Sequence, residues 1–274
     1  MMNLSTVASK LYLEKGIWFS IEKQKISYPE EGNSAMFELE ESSFWFKHRN
    51  NCIVTLVKKF TPDCMFFDIG GGNGFVSKGL QQSGISTVLI EPGLQGCINA
   101  QKRGLENIVC STLEDAGFKP DSLESCGMFD VVEHIEDDTT FISSIYKFLK
   151  PGGYCFITVP AYQILWSNED VDAGHYRRYT TESIKRLLTS GGFKINYISY
   201  FFSFLVLPVF LFRTIPSLWK KKALPISMHK KKHQSSGLSK IVVDQLCKRE
   251  VNKINHTKKI RFGSSLLIVA TKPL

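Results

Sequence analysis

The chain reads as a doubly wound α/β protein, and three observations carry that reading. Short apolar runs alternate with helical stretches of 8–12 residues along most of its 274 residues. A glycine cluster, Gly70-Gly71-Gly72-Asn73-Gly74, stands where the first of these runs gives way to the first helical stretch. An acid, Glu91, ends the second run. Strands separated by single helices build a mostly parallel sheet covered on both faces.

The first buried strand is Cys64-Met65-Phe66-Phe67-Asp68-Ile69. Continuous apolar character, rather than alternation, is what a strand covered on both sides requires. Ser86–Ile90, Asn107–Cys110, Ser125–Phe129 and Tyr154–Pro160 follow as strands two to five, the last introduced by the turn Pro151-Gly152-Gly153. Phe193–Tyr200 is the sixth and Gly263–Thr271 the seventh. Helices fill the intervals at Gly74–Ser83, Gly96–Arg103, Thr140–Leu149 and Thr181–Ser190, the last stopped by Gly191-Gly192. Residues 1–60 read as an N-terminal helical cap, 61–200 with 263–274 as the sheet domain, and 201–262 as an insertion before the final strand.

Seven cysteines, an odd number with no CxxC pair, argue against a disulfide framework and a structural zinc site. Reduced thiols and an N-terminus without an apolar core for a signal peptide fit a cytoplasmic protein. The net charge of +8 is unevenly spread. From Arg213 to Arg261 there are fourteen Lys/Arg against two acids, so the remaining body is mildly acidic.

The glycine cluster permits positive φ in a tight turn and lets the backbone approach a ligand. A carboxylate at the end of strand two, 17 residues past Gly74, can accept hydrogen bonds from both hydroxyls of a ribose. The spacing is D-x-G-x-G-x-G, with Phe75 where a dinucleotide loop has its last glycine. An acid leading the loop repels a pyrophosphate and holds an ammonium group. These features favour a cofactor with a ribose and an amino-acid moiety and no phosphate.

Asp68-x-Gly70-x-Gly72-x-Gly74, Glu91, Thr112-Leu113-Glu114-Asp115, the segment Phe129-Asp130-Val131-Val132-Glu133-His134-Ile135-Glu136-Asp137, and Leu149-Lys150-Pro151-Gly152-Gly153 together resemble a class I S-adenosylmethionine-dependent methyltransferase. The resemblance covers about residues 37–200 and the final strand. It implies a Rossmann-like seven-stranded sheet with an antiparallel last strand, S-adenosyl-L-methionine as cofactor and S-adenosyl-L-homocysteine as product. It also implies that Asp68, Gly70, Gly71, Gly72, Asn73 and Gly74 hold the methionine end. Glu91 with Pro92 would hold the ribose, Thr112 and Leu113 would flank the adenine, and Phe129 and Asp130 would abut the cofactor. Threonine stands at 112 where the family often has an acid, which leaves Glu114 or Asp115 to meet the adenine amino group.

Asp130, Glu133 and His134 share one side of a helical turn, an arrangement that suits a general base or a divalent metal. The segment is similar to that of quinone-biosynthesis O-methyltransferases, which hold a metal there. The same string also occurs in methyltransferases without one, and a purely bracing role is the third reading. No metal is assigned. After strand five, Ser167–Thr180 resembles a loop of certain bacterial methyltransferases carrying His-Tyr-Arg-Arg-Tyr-Thr. Its polarity suits the wall of an acceptor pocket. Asp170 and His175 are read as orienter and base, with His134 as a further catalytic group. Tyr176, Arg177 and Arg178 are read as acceptor contacts. Trp45, Phe46 and Arg49 are read as a lid, Arg49 toward the cofactor and Trp45 toward the acceptor, with plain helix packing as the alternative.

The insertion opens with Phe201–Phe212, apolar on every side, and then carries Arg213, Lys220-Lys221-Lys222 and Lys230-Lys231-Lys232. A membrane span needs about 20 residues, and Pro208 interrupts the run. An interfacial element over 201–232 on an anionic membrane surface is the expectation, against a lid or a dimer contact. The functional expectation is O-methylation of a small or lipid-like acceptor. The alternatives are an RNA or nucleic-acid methyltransferase, which the scarcity of aromatics in the basic stretch disfavours, and a non-catalytic cofactor-binding module.

Overall fold

The computed structural model describes residues 4–21, 30–219 and 238–274. One sheet runs through it. Its strands are β1 (Leu11–Glu14), β2 (Ile17–Ser20), β3 (Phe66–Ile69), β4 (Thr87–Ile90), β5 (Ile108–Cys110), β6 (Leu123–Phe129), β7 (Leu149–Pro160), β8 (Lys194–Phe201) and β9 (Ser265–Thr271). The order is β1-β2-β5-β4-β3-β6-β7-β9-β8. β3 pairs in parallel with both β4 and β6, while β9 runs antiparallel between β7 and β8. The seven strands read from sequence are β3 to β9.

The two additional strands correct the N-terminal assignment, because residues 11–20 form a hairpin where helix is expected. Lys15 and Gly16 both take positive φ, 48° and 82°, the geometry of a two-residue turn matched to the twist of the strands it joins. β2 then adds in parallel to the edge, with Trp18 opposite Val109 and Phe19 opposite Cys110. The remainder of the described cap is helical, in α1 (Glu30–Ser42) and α2 (Phe44–Phe60). Between them the Ser43 side chain accepts a hydrogen bond from the Trp45 N–H at 3.2 Å, capping α2.

α3 (Phe75–Gln82), α4 (Leu94–Lys102), α5 (Asp138–Phe148), α6 (Asn168–Asp172) and α7 (Thr181–Ser190) connect the strands. Gly192 at φ 90° follows the end of α7, as the glycine pair predicts. Strand order reverses at β3, with β4 on one side and β6 on the other. The crevice beyond the C-terminal ends of these strands is where ligands bind in such sheets. Phe66, Phe156, Leu267 and Ile268 are fully buried in the central strands. No disulfide joins the seven cysteines.

Past β8 the insertion is helical in pieces. A 3-10 turn (Ser203–Leu205) leads into α8 (Val206–Val209), a π turn (Phe210–Thr214) and α9 (Ile215–Trp219). α10 (Leu238–Asn255) returns against α2. It is fixed there by the buried pair His48–Glu250 at 2.9 Å and by Lys59 Nζ donating to the Asn255 carbonyl at 2.9 Å. The lysine runs 220–222 and 230–232 lie outside the described residues. No helix among the described residues is long and apolar enough to cross a membrane.

Candidate active site at the β3–β6 crevice

Asp68 ends β3 with its carboxylate almost wholly buried. One oxygen accepts from Ser77 Oγ at 2.7 Å, and the other has no partner among the described residues. Burial pushes its pKa up to about 6, against the Ser77 hydrogen bond and the Arg49 charge, which pull it down. An orphaned buried carboxylate oxygen is costly unless a ligand donor meets it. Next to it Gly70, Gly72 and Gly74 sit at φ 68°, 54° and 74°. A Cβ at Gly71 would come within 2.2 Å of Leu89 Cδ1 and 2.7 Å of the Asp68 carboxylate, so the loop is as close to its acid as backbone permits.

Glu91 reaches back to this loop. It accepts from the Gly72 N–H at 2.8 Å and from the Gly93 N–H at 2.7 Å. Burial outweighs both bonds, and its pKa rises to about 7. Pro92 follows it toward α4. The Asn73 side chain is buried. It donates to Glu40 at 3.3 Å and accepts from Asn99 at 2.9 Å, within a network closed by Arg103. The Arg103 guanidinium lies on the Phe37 and Phe75 rings and pairs with Glu40 at 2.6 Å. The Asn73 side chain thus fastens α1 and α4 to the loop. Thr112 accepts from the Asp115 N–H at 3.1 Å, Leu113 is packed in the core, and Glu114 accepts from Ser144.

On the β6 side, Phe129 stacks on Phe66 at 6.1 Å, and its carbonyl accepts from Arg49 Nη2 at 2.6 Å. Asp130 holds a left-handed φ of 57°, uncommon for a residue with a side chain. Arg49 Nε at 2.5 Å and Thr158 Oγ1 at 3.1 Å pin its carboxylate. Arg49 is therefore a tie from α2 to the crevice floor. Trp45 stacks on Phe202 at 5.4 Å with ring planes 4° apart, so it joins the cap to the start of the insertion.

Asp130 does not group with Glu133 and His134. Its left-handed backbone turns it to Arg49, and Val132–His134 forms a 3-10 turn rather than α-helix. The three-donor grouping among the described residues is Glu133, His134 and His175, with donor atoms within 4.8 Å of one another. Glu133 is fully buried with both oxygens unpartnered among the described residues. Burial, and then the Asp130 charge, push its carboxyl well up, so it is held protonated. The His134 and His175 rings meet edge to face at 4.6 Å. Burial and the neighbouring His175 pull His134 down to about 4, so that ring is neutral at physiological pH.

His175 Nδ1 bonds Asp170 Oδ1 at 2.9 Å, as the spacing suggests for an orienter and a base. Asp170 is buried, which alone would raise its pKa. His175 and Arg178 override that and hold it at about 2. Arg178 grips it with Nε at 2.8 Å and Nη2 at 2.9 Å, while Arg177 pairs with Asp138 at 2.9 Å and caps the Ile135 and Glu136 carbonyls. These two arginines brace the frame, because each guanidinium fork finds a carboxylate from its own loop or a neighbouring helix. Tyr176 remains half exposed and donates its N–H to the Glu133 carbonyl. Ser77, Thr158 and the Arg103–Glu40 clamp carry no signal in the motifs. His48 and Glu250, 202 residues apart, are invisible as a pair in the sequence.

A profile of the methyltransferase domain matches residues 54–198, more than half of the chain. The chain belongs to the class I S-adenosylmethionine-dependent methyltransferases. Among curated relatives it is similar to ubiquinone biosynthesis O-methyltransferases. The Colwellia psychrerythraea protein is 29% identical over 102 residues, 35% of this chain and 42% of that one. The Parvibaculum lavamentivorans protein is 27% identical over 138 residues, 48% and 49% respectively. The chain thus spans about half or less of the length of these relatives. The crystal structure of a SAM-dependent methyltransferase from Archaeoglobus fulgidus superposes at TM-score 0.53 and 21% identity, over 86% of this chain and 99% of that one. S-adenosylmethionine is the cofactor of this methyltransferase, and the orphaned Asp68 oxygen and the glycine cradle fit its ammonium end.

Proposed function

We propose that this methyltransferase methylates an oxygen of a small or lipid-like acceptor. The observation that carries the reading is the imidazole pair His134–His175, set on the crevice side of the sheet and backed by an ionised Asp170. When bound, the cofactor supplies an electrophilic methyl on a sulfonium sulfur. Asp68 holds the ammonium with its free oxygen. Glu91 takes the ribose hydroxyls, each of its oxygens keeping a second lone pair beyond the backbone bond it already accepts. Thr112 and Leu113 border the adenine.

With Nδ1–H donated to Asp170, His175 keeps the lone pair of Nε2 for the proton of an acceptor hydroxyl. Asp170, clamped by Arg178, stays ionised and orients the ring rather than taking the proton. His134 limits the pair to one proton, since a charge on either ring disfavours a second at 4.6 Å. Alignment of acceptor and methyl supplies most of the rate, and the base matters because a hydroxyl must lose its proton. The ubiquinone biosynthesis relatives support oxygen as the acceptor atom. The described parts of residues 1–60 and 201–262 are proposed as the cap and the appendage that flank the acceptor entrance.

The test is methyl-label transfer from S-adenosylmethionine into lipid, RNA and polar metabolite fractions of native cells. Label in the lipid fraction, lost with His175→Ala, is expected. Label in RNA, falling steeply with salt, replaces the reading with nucleic-acid methylation. Cofactor binding with no label anywhere replaces it with a binding module.

A further inference from the structure

We infer that the rod formed by residues 203–219, together with the basic groove beside it, docks the protein on an anionic lipid bilayer. One side of the rod is anchored to the domain. Thr214 is buried, Arg213 pairs with Glu169 at 2.7 Å, and Ser217 Oγ accepts from the Asn168 N–H at 3.1 Å. The other side is bare and apolar. Leu207 is 64% exposed, Phe212 69%, Leu218 78% and Trp219 84%, with Leu211 between them at 43%. Single exposed apolar residues need no explanation, whereas five within thirteen positions of one rod form a patch of the kind that marks an interaction surface.

The charge beside the rod selects the partner. Between α2 and α10 lies a groove of about 1180 Å³ whose lining includes Lys47, Lys58, Lys59, Lys240 and Lys248. The groove and the rod share an edge. His48 lines the groove, and its ring packs on Phe202 at 4.9 Å and Phe204 at 6.2 Å, where the rod begins. Apolar side chains flanked by cations are the pairing that anionic headgroups over an acyl interior satisfy. A second copy of the chain would cover the apolar face but bring two basic appendages together, which like charge opposes. Nucleic acid would meet the lysines and leave the leucines bare.

The shared edge also faces the site. Phe202 stacks on Trp45, and Arg49, one turn further along α2, binds Asp130 on the crevice floor. A bilayer held on this side presents a lipid-like acceptor to the entrance. Docking itself stands whether or not the proposed O-methylation is right, because it is read by binding alone.

The experiment uses the full chain and sedimentation with vesicles of phosphatidylcholine alone or mixed with phosphatidylglycerol. Binding is expected to be at least ~10-fold tighter to the anionic vesicles and to weaken with salt. The double variant Phe212→Ser/Trp219→Ser should lose ~10-fold or more while keeping the wild-type melting temperature and S-adenosylhomocysteine affinity, since neither side chain is buried. Lys58→Glu/Lys248→Glu, on the groove and away from the rod, should lose the anionic preference. Equal binding to neutral vesicles, no binding to either, or unaltered binding by the Phe212/Trp219 variant overturns the proposal. So does a concentration-dependent dimer in analytical ultracentrifugation that this variant abolishes, which would make the rod a self-association face.

Discussion

Replacing Asp68 by asparagine tests the cofactor cradle at its most exposed assumption, that a buried carboxylate waits for a cation. Burial holds its pKa up at about 6. The carboxylate is therefore about nine-tenths protonated at pH 5 and almost fully ionised at pH 8. Only the ionised form pairs with an ammonium group. Affinity for S-adenosylhomocysteine should then fall about tenfold per pH unit below pH 6, and binding near pH 6 should release a proton. Asp68→Asn removes the charge-assisted bond, roughly 1.5–3 kcal/mol or about 10–150-fold in Kd at pH 8, and with it the steep fall below pH 6. Glu91, at about 7, titrates in both proteins. Its protonated carboxyl still hydrogen-bonds a hydroxyl, so the residual slope is shallow. Calorimetry across pH 5–8, in two buffers of different ionisation enthalpy, reads both the affinity and the proton. Wild-type affinity at pH 8 in the variant, or an undiminished slope below pH 6, refutes the assignment of Asp68.

Gly71→Ala drives a methyl to 2.2 Å from Leu89 Cδ1 and should cost about 1–3 kcal/mol in urea unfolding and most of the cofactor affinity in the same calorimetry. His175→Ala should lower the methyl-transfer rate about 10²–10⁴-fold with S-adenosylhomocysteine affinity unchanged, which a stopped-time label assay and calorimetry separate. His48→Ala leaves Glu250 buried and should destabilise by about 3–5 kcal/mol, toward the lower figure because Ser203 and two backbone N–H groups still bind that carboxylate; urea midpoints against exposed Lys58→Ala measure it. Glu133 carries a raised pKa, so the folded protein keeps a proton that the unfolded chain releases above about pH 4.3. Its contribution to stability is greatest below that pH and declines as pH rises. Glu133→Gln lacks the decline, and its urea midpoint should gain on the wild type steadily from pH 5 to pH 8.

What was legible in the sequence follows from how local each signal is. The inner strands such as β3, β4 and β9 announce themselves because a doubly covered strand must be largely apolar, and the glycine loop because its φ values admit few other residues. The β1–β2 hairpin escaped because Lys15-Gly16 is an unremarkable turn pair and each strand has only four residues. Asp68, Glu91 and the Asp170–His175 pair were legible since strand ends and short loops place them. The ion pairs of Arg177 and Arg178 were not legible, because a charged side chain in a ligand-side loop looks the same in sequence whether it faces a substrate or a neighbouring carboxylate such as Asp138 or Asp170. Asp130 was grouped with Glu133 and His134 on helical spacing, and a single left-handed residue broke that spacing. Links such as Arg49–Asp130, Arg103–Glu40 and His48–Glu250 join segments far apart in the chain, where no window of sequence shows both partners.

Those long links also separate frame from site. Arg103, Arg178 and Glu250 are buried ions whose charge is met by a partner carboxylate or imidazole. Removing a partner from any of them strands a charge, so they fix where α1, the Ser167–Thr180 loop and α10 sit. Asp68 and Glu133 break the pattern, each buried with carboxylate oxygens unmet among the described residues. Folding alone gives no reason to retain such groups, since an apolar residue of similar volume is cheaper in a dry interior. Asp68 lies against the glycine cradle, where an arriving ammonium would meet its orphaned oxygen. Burial and the Asp130 charge push the Glu133 carboxyl toward its protonated form, which carries no charge to repel Asp130 and leaves Asp170 as the carboxylate that meets the imidazole pair. Burial and the neighbouring His175 hold the His134 ring neutral, and Asp170 orients His175, the ring we propose to take the proton of an acceptor.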